Sequence, residues 1–259
     1  MLRSVNPGPD GASGGITRSG MIAKHIERHN KGGLSDVILG GQDGLVNVLG
    51  VILGVAAATP DPRIVVAAGM AATFAESISM GAVAYTTTQT DRDHYLAELE
   101  REKTEIRELP DRERQEVREI YEEWGLKGQK LDQVVDIICS NEDTWLSVMM
   151  AEELHLAPVE ESGALKSAIV VGFSAIVGSL IPLIPFLLVA PPLALFARPT
   201  AIILAIVISA LTLFVVGVYR AKTTVGQPAR SGVQMAAIGT VSALAGYVVG
   251  ALFGAAGGA

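Results

Sequence analysis

Five apolar stretches, each roughly as long as a membrane span, constrain the fold of this chain more than any other feature. A bilayer core about 30 Å thick needs roughly 20 apolar residues in helix to cross it, and a helix satisfies its own backbone hydrogen bonds. Only 18% of the residues are charged, below the share typical of globular domains. The sequence therefore predicts an all-α, polytopic membrane protein with five transmembrane helices, approximately at Val37–Ala58, Ile64–Thr88, Leu165–Ala190, Ala201–Tyr219 and Gly232–Phe253.

The acidic residues are concentrated between the second and third of these stretches. Of the 27 acidic residues, 21 lie between Asp91 and Glu161, together with nine basic residues, so this segment carries a net charge of −12 within a chain of −7. Capping and breaking residues divide it into helical stretches. We predict an acidic helical insert over residues 91–161, between transmembrane helices one and two (35–90) and helices three to five (162–259). Its expected helices are Tyr95–Glu108, Glu113–Trp124, Leu131–Ser140 and Glu142–Leu156.

Basic residues near the ends of the spans predict the orientation. Lys24, Arg28 and Lys31 precede the first span, and Arg220, Lys222 and Arg230 lie before the fifth. Because basic loops stay on the cytoplasmic side, we expect a cytosolic N-terminus and a cytosolic insert. Residues 1–34 are polar and glycine-rich, so we expect a partly disordered cytosolic arm.

Glutamates recur at helical spacing within the insert. Glu98, Glu102 and Glu105 share one helix face, and Glu113 and Glu116 repeat the spacing on the next helix. Like charges on neighbouring turns repel by a few tenths of a kcal/mol per pair unless bases or cations neutralise them. Two interpretations stay open, namely a solvated surface neutralised by neighbouring arginines and lysines, or a cation site.

Two methionines one turn from a carboxylate bear on that choice. Met149 and Met150 precede Glu153 on a later predicted helix. Methionine pairs usually fill cores, but thioethers combined with carboxylates favour a transition metal over calcium or magnesium. The sole cysteine, Cys139, excludes an intramolecular disulfide and any zinc or iron–sulfur site built from several cysteines.

Polar residues inside the spans predict a second site. Asp43 and Asn47 lie one turn apart in the first span, as do Glu76 and Met80 in the second. Ionisable residues within a bilayer are costly and usually functional, so each span presents a polar stripe that could line an ion path. The alternative is a protonated carboxyl group hydrogen-bonded between helices.

Small residues repeat every fourth position in two spans. Gly50 and Gly54 lie in the first span, and Gly246, Gly250 and Gly254 lie in the fifth. Such motifs permit close approach of two helices. We expect them to form a helix–helix contact, either within one subunit or between subunits.

Several of these motifs together identify a family resemblance. They are Asp43-Gly44-Leu45, Ile78-Ser79-Met80-Gly81, the glutamate-rich helices, Trp145-Leu146-x2-Met149-Met150-x2-Glu153 and Ile181-Pro182-Leu183-Ile184-Pro185. From about Ser35 to the C-terminus, the chain resembles the vacuolar iron transporter family, which includes the yeast vacuolar iron and manganese importers and prokaryotic relatives.

The resemblance implies a function and an assembly. Family members are homodimers that exchange ferrous iron for protons, so we expect a transporter, not an enzyme, that exports ferrous iron or manganese from the cytosol to the lumen or exterior. We expect no prosthetic group and no nucleic-acid partner. The expected membrane is the prokaryotic cytoplasmic membrane or the eukaryotic vacuolar membrane.

The resemblance also assigns residues. A cytosolic metal site would be formed by Glu102, Glu105, Glu113, Glu116, Met149, Met150 and Glu153. Asp43 and Met80 would line the membrane path, to which Glu76 and Asn47 are added by their spacing. The chain departs from the family pattern at Ala72, where a glutamate is expected, and at Gln42, where a small residue is expected.

Two other classes of function compete with transport. Glu152-x2-His155 among many carboxylates is typical of a membrane-bound di-iron enzyme, although such sites normally use two Glu-x2-His motifs. An acidic domain could instead bind a basic partner as part of a receptor or scaffold, which would leave Asp43 unexplained.

Overall fold

The computed structural model describes residues 32–159, 162–191, 193, 195, 197–223 and 226–256. All regular secondary structure in these ranges is helical, and the five long, apolar helices confirm the predicted all-α fold with five membrane-spanning helices. The predicted N-terminal arm lies outside the described residues, except for its last three positions.

The membrane-spanning helices are α1 (Gly32–Ala58), α2 (Pro62–Glu108), α6 (Gly163–Val189), α7 (Arg198–Thr223) and α8 (Pro228–Ala256). Between α2 and α6 lie α3 (Pro110–Glu123), α4 (Gln129–Cys139), α5 (Glu142–Val148) and a π-helical turn (Met149–Glu153).

Helix α2 is far longer than a membrane span. It begins at Pro62, where the Asp61 side chain accepts a hydrogen bond from the backbone N–H of Arg63, and continues for 47 residues, or about 70 Å at 1.5 Å per residue. From the sequence we predicted two separate helices here, but no glycine or proline occurs between Gly81 and Pro110 to interrupt them. The second span therefore runs without a break into the acidic insert.

Helix α1 packs against all four other membrane-spanning helices. Its buried side chains Leu49, Ile52 and Leu53 contact a core that includes Leu183 and Phe186 of α6. Many large apolar side chains of the other helices remain exposed on the outside of the bundle, as expected where lipid replaces water.

The two glycine motifs meet within one subunit. A Cβ atom added at Gly246 would collide with the Gly50 carbonyl, and one added at Gly250 would collide with the Gly54 carbonyl. Helices α1 and α8 therefore approach backbone to backbone, which only glycine allows at these positions. Of the two contacts that the sequence left open, the intrasubunit one is present.

The short helices pack around the distal half of α2. Ile106 of α2 shares a buried cluster with Val117, Leu131, Val135 and Trp145. Gly125 and Gly128 both have positive φ, at +92° and +56°, and so form the turn between α3 and α4. This core holds glutamates of α2 and α3 at fixed positions. The division of the chain into separate domains stays a prediction.

Candidate metal sites

Two glutamates of the insert are buried. Glu102 of α2 is 1% exposed and Glu113 of α3 is 0% exposed. Both oxygens of Glu113 and Oε1 of Glu102 are buried without a hydrogen-bond donor among the described residues. Burying an ionised carboxylate without a partner costs several kcal/mol, so these oxygens require either a proton or a cation.

The surrounding glutamates extend this pair into two groups of three. Carboxylate oxygens of Glu102, Glu105 and Glu113 lie within 4.8 Å of one another, and so do those of Glu113, Glu116 and Glu153. Glu113 belongs to both groups. Carboxylate oxygens at this spacing suit a divalent cation such as iron or manganese. Four of the predicted metal-site glutamates thus surround the fifth, Glu113.

The nearby bases only partly neutralise this cluster. Arg101 contacts Glu98 at 3.0 Å and Glu105 at 3.6 Å, and Arg112 contacts Glu116 at 3.1 Å. These pairs fit the solvated-surface interpretation. Glu102 and Glu113 do not fit it, because both are buried and form no ion pair with a base in the described part of the chain. Three other arginines of α2 and α3 pair with other acids, as Arg107–Glu142, Arg114–Asp136 and Arg118–Asp132.

The electrostatics of the cluster favour proton binding while no cation is present. Burial, together with the neighbouring Glu102 and Glu116, raises the pKa of Glu113 to about 8. Desolvation, followed by repulsion from Glu116, Glu102 and Glu105, raises the pKa of Glu153 to about 7. Because Glu153 is exposed, Glu113 dominates the pH dependence that we expect. Protons and cations therefore compete for the same oxygens near neutral pH.

A π-helical turn ends at Glu153. The Leu154 N–H donates to the Met149 carbonyl oxygen at 3.1 Å, a bond that spans five residues instead of four. The wider turn changes the direction in which the following side chains point, and such turns are frequent at functional sites. No sequence signal identifies it, so the position of Glu153 beside Glu113 follows only from the structure.

The two methionines occupy different surroundings. Met149 is fully buried in the apolar cluster around Trp145 and Val117, as the core-packing alternative predicts. Met150 is also buried but does not belong to that cluster. Both methionines stay in the predicted metal site.

A second cluster lies within the membrane-spanning helices. The Asn47 side-chain amide of α1 donates to Oε1 of Glu76 on α2 at 3.0 Å, and Asp43 lies within hydrogen-bonding reach of Glu76. The structure thus brings together three of the four predicted path residues. Met80 lies one turn further along α2 and is half-buried.

The arrangement explains how the chain accommodates its departure at position 72. Ala72 packs against the core of the bundle, whereas Glu76 reaches Asn47 on the neighbouring helix. A carboxylate of α2 therefore faces Asp43 although position 72 has none.

Comparison with known proteins places the chain in a family. The model of the VIT family matches residues 34–251. This chain belongs to the VIT family. Vacuolar iron transporter 1 of Arabidopsis thaliana is 32% identical over 229 residues, which cover 88% of this chain and 89% of the relative. Vacuolar iron transporter 2 of Oryza sativa subsp. japonica is 34% identical, with 88% and 91% covered. Vacuolar iron transporter 1 of Eucalyptus grandis is 30% identical over 249 residues, with 95% and 97% covered.

Membership of the VIT family does not favour the enzyme alternative, because these relatives are named as transporters and not as enzymes. Within the described residues, neither glutamate group includes His155, which follows the π-helical turn with a positive φ of 56°. In the VIT family a metal ion is the substrate and not a resident cofactor.

Proposed function

We propose that this chain is a divalent metal transporter that moves ferrous iron, with manganese as a second substrate, out of the cytosol in exchange for protons. The observation that carries the proposal is the cluster of Asp43, Asn47 and Glu76 in the membrane-spanning helices of a VIT family chain. Ionisable groups are costly in a bilayer and usually mark an ion or proton path. The names of the relatives support iron as the cargo.

Exchange with protons is supported by the proximity of two carboxyl groups. Asp43 and Glu76 lie close enough to interact, so their negative charges repel one another in a region of low dielectric constant. Either a cation or a proton relieves this repulsion. A metal ion that leaves the pair is therefore readily replaced by protons, and the reverse step loads the next ion.

A homodimer is supported by the exposure of the surface that carries the membrane carboxylate cluster. In the single chain, Asn47 is exposed and Asp43 and Glu76 are only half-buried. Polar groups facing lipid would be costly, whereas a second subunit packed on this face would enclose them. We therefore include a path between two subunits in the proposal, with Met80 one turn from Glu76.

Delivery of metal from the cytosol is supported by the insert. Its glutamate groups suit a divalent cation, and its net charge of −12 raises the local cation concentration. The part of the bundle next to it carries Lys166 at the start of α6 and Lys222 at the end of α7. Basic residues at span ends favour the cytosolic side. The metal would bind first at the insert, through Glu102, Glu105, Glu113, Glu116, Met149, Met150 and Glu153, and then pass to Asp43.

Uptake by proteoliposomes tests the proposal. We expect ferrous iron to move across the membrane when a pH gradient is imposed, protons to move in the opposite direction, and both fluxes to fall when the gradient is removed. Manganese, cobalt and zinc are measured in parallel for selectivity. Protein-free liposomes and the Glu100→Gln variant, which removes an exposed carboxylate of α2 outside both glutamate groups, are the controls. If the wild-type chain moves no metal under any pH gradient, the proposal is wrong.

A further inference from the structure

A cavity of about 690 Å³ opens on the side of the bundle formed by α1, α6 and α7. Its walls are mostly apolar, and its few polar side chains include Gln42, Thr212 and Tyr219. The volume falls within the range of small-molecule sites in proteins. Because the walls belong to membrane-spanning segments, the cavity lies where lipid and not water is the surrounding solvent.

The cavity and the proposed ion path occupy opposite faces of α1. Leu34, Ile38, Gly41 and Leu45 line the cavity at spacings of three and four residues. Asp43 and Asn47 lie about 180° away around the helix axis, at 100° per residue. A second subunit that encloses the acidic face would therefore leave this cavity facing the lipid.

Basic residues flank one end of the cavity. Tyr219 and Ile169 form part of its wall, Lys222 lies one turn beyond Tyr219, and Lys166 lies one turn before Ile169. Both lysines are exposed. The hydrogen bond of 2.8 Å from Ser167 to Asp36 shows that the beginnings of α1 and α6 lie together at this end. This apolar cavity, called the slot below, has cations at one end. It therefore matches an acyl chain attached to an anionic headgroup.

We propose that this cavity is a binding site for an anionic phospholipid, with an acyl chain in the slot between α1, α6 and α7 and the phosphate group near Lys166 and Lys222. Van der Waals packing of the acyl chain against the cavity wall supplies affinity, and the two lysines supply the headgroup preference.

Native mass spectrometry of the full-length protein tests the site. The protein is reconstituted in bilayers with equal amounts of phosphatidylglycerol and phosphatidylcholine and extracted in mild detergent. The masses of its complexes with retained lipids are then measured. We expect phosphatidylglycerol to stay bound in preference to phosphatidylcholine. Equal retention of both lipids, or retention of detergent alone, would overturn the proposal without the need for any variant.

Matched variants locate the bound lipid. Val177 lines the cavity and is 49% exposed, so Val177→Trp should fill the slot. We expect the retention of phosphatidylglycerol to fall about tenfold, which corresponds to about 1.4 kcal/mol. Val241 on α8 is 66% exposed and lies outside the cavity, so Val241→Trp should retain lipid normally. Equal retention in the two variants would contradict the assignment, and a normal thermal melting curve for Val177→Trp excludes misfolding as the cause.

Two further outcomes separate the headgroup from other occupants. Lys166→Gln combined with Lys222→Gln should abolish the preference for phosphatidylglycerol, whereas Lys127→Gln with Lys130→Gln, which removes two bases of the insert, should not. If the wild type retains no lipid and Val177→Trp converts a dimer into a monomer, a second copy occupies the slot and the lipid proposal is wrong.

Discussion

The two carboxylate clusters of this chain differ in how their charge is balanced. In the insert, Glu113 is buried among other glutamates and its oxygens have no described hydrogen-bond donor. In the membrane, Glu76 accepts a hydrogen bond from the Asn47 amide and faces a single further acid, Asp43. More uncompensated charge gives tighter cation binding and stronger competition from protons. In the proposed function, the insert therefore collects metal and the membrane cluster binds and releases it.

The largest expected effect separates transport from binding. Asp43→Asn keeps the shape of the side chain but removes a charge from the membrane cluster, so we expect the rate of iron uptake to fall by about a hundredfold or more. Metal binding by the insert should be unchanged, because Asp43 contributes to neither glutamate group. Uptake assays and calorimetric titration of the same preparation measure the two effects. Uptake at the wild-type rate would remove Asp43 from the path.

The converse variant acts on the insert. Glu113→Gln removes the one carboxylate shared by both glutamate groups, so we expect the affinity of the full-length protein for divalent metal to fall by at least about tenfold. Glu100→Gln is the matched control on an exposed position. An unchanged titration for Glu113→Gln would favour the solvated-surface interpretation of these glutamates.

The pH dependence of binding sharpens the contrast. Because the pKa of Glu113 is raised to about 8, this group is mostly protonated at pH 7, and a cation must displace the proton. We expect the metal affinity of the insert to increase as the pH rises from 6 to 8, by up to about tenfold per unit for one displaced proton, and to level off above pH 8. Titrations across this range measure the slope. In Glu113→Gln the slope should become smaller, and a slope identical to the wild type would contradict the role of Glu113.

The smallest effect concerns the amide donor in the membrane. Asn47→Ala removes the hydrogen bond to Glu76, and a hydrogen bond to a charged group contributes about 1.5–3 kcal/mol. We expect the uptake rate to fall by about tenfold and its pH optimum to shift, because the Glu76 carboxylate then loses its amide donor. Asn47→Asp tests the sign, since a third acid should shift the optimum further in the same direction. An unaltered pH profile in both variants would show that Asn47 does not act through Glu76.

Much of the fold and part of the candidate sites could be predicted from local sequence. The five spans follow from the length of the apolar stretches, and Pro110 and Gly125 mark the ends of α3. The continuity of α2 was missed, because the change from apolar to charged residues near Asp91 resembles a domain boundary although nothing there interrupts a helix. Local sequence also does not show whether Met149 packs in a core or lies near a metal, because a methionine in either place has the same neighbours along the chain.

The sequence by itself determined that this chain crosses a membrane five times and carries an acidic helical segment, because hydrophobic length and helix-breaking residues act locally along the chain. Only the tertiary structure decided that the carboxylate of α2 that faces Asp43 belongs to Glu76, while position 72 holds an alanine. It likewise decided that a π-helical turn ends at Glu153 and that this residue lies beside Glu113. These contacts depend on how separate helices pack and rotate against one another, and the spacing of residues along one helix does not specify that rotation.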